Sequence, residues 1–179
     1  FSGDQMRAYK VLWGAGAGDI TVENNYLHLT NGRVEYGAGG GRVIIPKGRF
    51  ALGYPRADGG EEINAGIRVE NMPMKPLKEA FELADWPVEG TVELAEMTLT
   101  GQYQKPSGTG QMKIVNGTAW EEPFDLVTGR LDFKGDGSLE VNEMKMSKAG
   151  GQIRGNAVVD WEDNTYGFHA ETEGPGIPM

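Results

Sequence analysis

Residues 108–174 are written almost entirely in short runs of alternating apolar and polar residues, each closed by glycine or another turn-former. Successive side chains on a strand point to opposite faces, so such runs specify strands with one apolar side and leave little room for helix. Stretches 110–115, 129–134, 138–141, 143–146 and 152–161 all read this way. Met112, Ile114, Leu131, Phe133, Leu139, Val141, Met144 and Met146 each fall on the apolar side of their strand, and Ile153, Val159 and Phe168 extend the same set. A one-sided sheet must cover its apolar face, and the cover can be a ligand.

The chain has 28 glycines in 179 residues, well above the usual level of about 7%. They have no strict three-residue period, which excludes collagen, and they cluster where strands would turn. With 39% hydrophobic residues the chain is expected to fold. Ahead of the alternating region, strands are expected over 20–22, 26–30, 33–36, 42–45, 49–54 and 63–69, as hairpins within 20–72. Residues 1–19 are ambiguous between strand and short helix. Asn31-Gly32 reads as a hairpin turn, because both central positions of a type I′ turn need positive φ. Asn116-Gly117 sits in a similar setting, and the stretch starting at Leu29 resembles the one starting at Ile114, as if the hairpin were a reused unit. One segment departs from the pattern. Over 73–85, Pro76 suits a first helical turn and Leu77, Ala80, Phe81 and Ala84 follow helical spacing, which predicts a short amphipathic helix capping the sheet. Strands resume over 86–172, with a bulge expected near Ala95-Glu96 where the apolar phase shifts. A tail follows over 173–179.

A net charge of -9 argues against nucleic acid and anionic membrane surfaces as partners. The absence of cysteine excludes thiolate catalysis, disulfides and cysteine zinc sites. No run approaches the roughly 18 apolar residues of a membrane-spanning helix. The chain starts at Phe1 rather than methionine, and is expected to be a piece of a longer protein whose anchor or signal lies outside it.

No enzymatic motif presents itself, so no catalytic residue, metal or cofactor is expected. His28 and His169 lie in strand-like runs without signposted partners. The acidic groups Glu61-Glu62, Glu121-Glu122 and Asp160/Glu162/Asp163 read as solvated turns. The stretch from Asp132 to Ser138 lacks the alternating ligands and distal glutamate of a calcium loop. Trp13, Trp86, Trp120 and Trp161 share no motif and read as packed or edge tryptophans.

Four stretches carry a family resemblance: 85–101, beginning Asp85-Trp-Pro-Val-Glu-Gly; 108–125, beginning Gly108-Thr-Gly-Gln-Met-Lys-Ile-Val; Leu131-Asp-Phe-Lys-Gly; and 148–157, Lys-Ala-Gly-Gly-Gln-Ile-Arg-Gly-Asn-Ala. Across residues 60–172 the chain resembles the AsmA-like superfamily, in particular its TamB-type translocation and assembly module proteins. The resemblance implies antiparallel strands curled into an open half-pipe, a β-taco, with an aliphatic concave face. It also implies a parent protein anchored in the inner membrane, phospholipid transport across the periplasm towards the outer membrane, and an outer-membrane assembly protein as partner.

The expectation is therefore a mainly β, non-enzymatic groove segment. Met112, Ile114, Leu131, Phe133, Leu139, Val141, Met144, Met146, Ile153, Val159 and Phe168 would hold phospholipid acyl chains by burial at about 0.8 kcal/mol per CH₂. The alternative is a closed β-sandwich that binds carbohydrate or protein, with the same residues as its core.

Overall fold

A computed structural model describes residues 1–8, 11–37, 40–80, 83, 85–163 and 165–173. Its eleven strands form one antiparallel sheet in chain order, and the sheet does not close. They are β1 (Ser2–Ala8), β2 (Val11–Glu23), β3 (Tyr26–Tyr36), β4 (Gly41–Ala51), β5 (Ile63–Pro73), β6 (Val88–Gly101), β7 (Pro106–Ala119), β8 (Glu122–Lys134), β9 (Ser138–Lys148), β10 (Gly151–Asp160) and β11 (Thr165–Glu173), and helix α1 (Met74–Ala80), the one helix among the described residues, lies between β5 and β6. The closed sandwich is not what this chain builds. Among the described residues there is one sheet, and every neighbour in it is a neighbour in sequence.

The expected strands 26–30 and 33–36 are one strand, β3, and Asn31-Gly32 lies inside it. Asn116-Gly117 likewise lies within β7. Both asparagines adopt the positive φ that the dipeptide implied, 53° and 51°, but Gly32 and Gly117 do not follow, so the backbone bulges where a turn would reverse it. The pairing of β2 with β3 slips by one residue opposite Asn31, and that of β6 with β7 slips opposite Asn116. The reused unit is thus a bulge, not a hairpin. Gly117 is also required for room: a Cβ there would lie 2.2 Å from the Glu89 carbonyl oxygen and 2.3 Å from the Phe124 ring. The two-residue turns fall elsewhere, at Asn24-Asn25, Trp120-Glu121 and Ala149-Gly150, each with both φ positive.

Positive φ recurs at Asn71 in β5 (49°) and Glu143 in β9 (52°), so β3, β5, β7 and β9 each carry such a residue. The extra residue inverts the phase of the strand beyond it. Val141 and Met144, three apart, are both 5% exposed on one face, and so are 138–141 and 143–146 joined into one strand rather than two. In β6 the slips lie at Glu89/Thr91 and Val92/Leu94, slightly upstream of the expected bulge, and Val92 and Ala95 are both buried across the second. Of residues 1–19, 2–8 form β1 and 11–19 the first part of β2; of the expected strand 49–54 only 49–51 is strand, and it joins 42–45 through Pro46 and Gly48 as β4.

Strands bent in this way fold the sheet across its width. By register Tyr166 pairs through Val159, Leu139 and Phe133 with Gly108, eleven residues from Ala119 along β7. In a flat sheet that is roughly 36 Å. Yet the Trp120 ring, one residue beyond Ala119, lies 5.9 Å from the Tyr166 ring and 6.0 Å from that of Phe168. Only a sheet curled onto itself brings these together.

Helix α1 is shorter than expected, and Phe81 and Ala84 lie outside the described residues. It packs on β6 and also reaches β2, spanning strands that are not neighbours. Its buried residues are Met74, Pro76 and Lys78, and Leu77 packs half-buried against the core. Lys78 was not foreseen on that face. Its ammonium donates to the Trp86 carbonyl oxygen and to Glu89 Oε1, both at 2.6 Å, so its charge is paired and the helix is tied to the start of β6.

Candidate apolar groove

Residues directly opposite each other on antiparallel strands share a face, so cross-strand pairs trace rows over the inner surface. One row runs Ile20, Leu29, Gly48, Ala65, Leu99, Gly108, Phe133, Leu139, Val159, Tyr166. A second runs Ile67, Met97, Gly110, Leu131, Val141, Ala157, Phe168, and a third Met72, Val92, Ile114, Val127, Met146, Ile153. Gly48, Ala65, Gly108, Gly110 and Ala157 interrupt the large residues of the first two rows, which leaves room for side chains across a curled inner face. None of the three rows contains a charged residue.

The expected groove residues lie on this face. Ile114, Leu131, Val141, Met144 and Val159 are buried, whereas Met112, Phe133, Leu139, Met146 and Ile153 are half-buried. Phe168 is on the same row as Leu131 but 45% exposed. Buried members that the sequence reading passed over are Val69, Met72, Met74, Val92, Ala95, Ala119, Phe124 and Val127. Val92 and Ala95 straddle a bulge, and Phe124 sits out of phase with Val127, so simple alternation could not align them. The cluster is in mutual contact from β5 to β9, with Trp13 of β2 and Tyr36 of β3 packed against it.

The outer face is paired and polar. Arg68 bridges Glu70 and Glu96 at 2.6 and 2.8 Å, and Lys134 bridges Asp132 and Glu140 at 2.8 Å each. Those two carboxylates and their hydrogen bonds push the Lys134 ammonium up to about 12. Asp136 accepts the Ser138 N–H and hydroxyl, which lowers the Asp136 pKa, so the stretch once compared with a calcium loop is held by its own hydrogen bonds.

The rim joining β4 to β5 is built from aromatics and buried polar ties. Glu62, 4% exposed, accepts the backbone N–H of Arg56 and of Tyr103, so it fastens the loop. Tyr26 lies between the Arg49 and Arg56 guanidiniums, 4.7 and 4.5 Å from its ring centre. Beside it are open depressions of about 600 Å³, along Leu52–Asp58, and about 450 Å³, over His28, Lys47 and Arg49. His169 faces solvent near Glu171, and Asp160 accepts the backbone N–H groups of Glu162 and Asp163. Trp161 donates its indole N–H to the Gln104 carbonyl oxygen, whereas Trp120 stands 49% exposed.

No family model, curated protein or solved structure matches this chain. Among the described residues no helix is long and apolar enough to cross a membrane.

Proposed function

We propose that this chain is a non-enzymatic segment of a periplasm-spanning protein whose apolar groove carries phospholipid between the inner and outer membranes, in the manner of the AsmA-like proteins it resembles. One observation supports this reading above the rest: uncharged, largely apolar rows run along the inner face of a single open sheet as far as β11. A bilayer lipid needs only a continuous dry track for its acyl chains, and each buried CH₂ contributes about 0.8 kcal/mol. Lipid is held by area, not by chemistry at any one residue. The parent protein is anchored in the inner membrane outside this chain and engages an outer-membrane assembly protein.

Native mass spectrometry of the chain purified from a bacterial periplasm, followed by lipid extraction, tests this. Co-purifying phospholipid that is lost in Ile153→Asp, a half-buried position on β10, is the expected result. A wild-type chain that is folded and free of lipid overturns the reading.

A further inference from the structure

Two contacts tie distant strands of the curled, open sheet together, and these straps differ. Helix α1 is fixed by the buried Met74 and Pro76 and by both hydrogen bonds of the Lys78 ammonium. The other strap is the aromatic contact of Trp120, on the turn between β7 and β8, with Tyr166 and Phe168 of β11. Its three rings are 49%, 49% and 45% exposed, and no charged group takes part. Trp120 and Glu121 hold φ of 50° and 68°, a left-handed geometry that bulky side chains avoid. The Trp120 N–H donates to the Pro87 carbonyl oxygen at 2.8 Å, next to the Trp86 carbonyl that accepts from Lys78. The aromatic strap is thus hinged on the firm one.

We propose that the Trp120–Tyr166–Phe168 clasp is the lateral entry through which an acyl chain reaches the groove. Tyr166 continues the row of Val159, Leu139 and Phe133, and Phe168 that of Ala157, Val141 and Leu131. Parting the clasp uncovers both rows at their ends and presents an uncharged track several strands long. An unbranched hydrocarbon satisfies that surface, whereas a peptide backbone would find no polar partners on it. The clasp yields before the helix because its rings are already half in water and surrender little burial on opening. This inference rests on the groove reading and adds the place and order of opening.

The chain has no cysteine, so Trp120→Cys with Phe168→Cys supplies its only two thiols. Loading of a fluorescent polyene fatty acid is followed by stopped flow for wild type, for the unbridged double variant and for the same variant joined by a short bis-maleimide, with folding checked by circular dichroism. Phe168→Ala serves as a second variant that leaves Trp120 in place. The expected order is unbridged and Phe168→Ala fastest, wild type next, and the bridged form at least tenfold slower than the unbridged form. Equal rates in all four overturn the clasp as the entry while leaving the groove standing. A wild-type chain that takes up no fatty acid removes the groove reading, and the clasp with it.

Discussion

Leu131 and Val141 share a row with Phe168, yet the first two are 5% exposed and the third 45%. The row of Ile20 and Tyr166 behaves the same way, with its ends 42% and 49% exposed while Ala65 and Val159 within it are 1% and 3%. Residue type does not explain the difference, since aromatic and branched residues occur at both positions. Depth within the curl does. Where bulged strands turn the sheet onto itself, inner-face side chains meet each other. At Ile20 of β2, and at Tyr166 and Phe168 of β11, the same face is covered far less.

The sharpest test of that comparison is the same kind of truncation at both depths. Leu131→Ala is expected to cost about 2–5 kcal/mol, because it empties a site ringed by packed neighbours. Phe168→Ala removes a larger side chain but only an exposed aromatic contact, and is expected to cost under about 1.5 kcal/mol. Urea denaturation measures both. An equal or larger loss at Phe168 would mean that the edge is as well packed as the centre.

Next in size is the tie beneath α1. Lys78→Met keeps the aliphatic stem but strips the donor from the Trp86 carbonyl, for about 1–3 kcal/mol. Hydrogen exchange should rise at α1 and the start of β6 and stay unchanged in β9 and β10. Uniform loosening would show that the helix holds up the whole curl rather than one part of its mouth.

A smaller effect separates bulge from turn. Asn116→Ala places a side chain without a local hydrogen-bonding group at φ 51° and is expected to cost about 1–2 kcal/mol. Asn24→Ala meets the same conformational demand at φ 50°, but in a hairpin turn away from the bend. If bending is the function of the bulge, only the first change should increase solvent access to Trp120, read by acrylamide quenching.

These positions also mark where the sequence was legible. Alternation placed the residues from Met112 to Val159 on one face, and with glycine-rich punctuation it identified a mainly β chain, because both follow from the two-residue period of a strand; Pro76 and helical spacing marked the helix. The asparagine-glycine pairs signalled positive φ correctly. They misled about direction, since a single left-handed residue bulges a strand and two in succession reverse it. Ala95 and Phe124 were invisible for the same reason: each bulge resets the phase that a period of two relies on. Trp120 read only as a packed or edge tryptophan because its partners, Tyr166 and Phe168, lie more than forty positions away and meet it only once the sheet has curled.

The smallest expected effect lies on the outer face, where depth in the curl should not matter. Lys134, between Asp132 and Glu140, is raised to about 12, and the Glu140 carboxyl is lowered by the hydrogen bond from Lys134 and then by that from Asn142. A raised lysine stabilises fully below its ordinary value of about 10.4, and that stabilisation is lost as the pH climbs through about 12. The lowered glutamate stabilises above about 4.3, and its contribution is lost as the pH falls through its depressed folded value. The pair therefore acts between these limits and is screened by salt. Lys134→Ala should melt slightly below wild type at pH 7 in dilute buffer, with the gap closing at acid pH or in concentrated salt. If the gap survived both, the lysine stem rather than its charge would be holding β8 to β9, and the outer face would share in the packing that the inner rows provide.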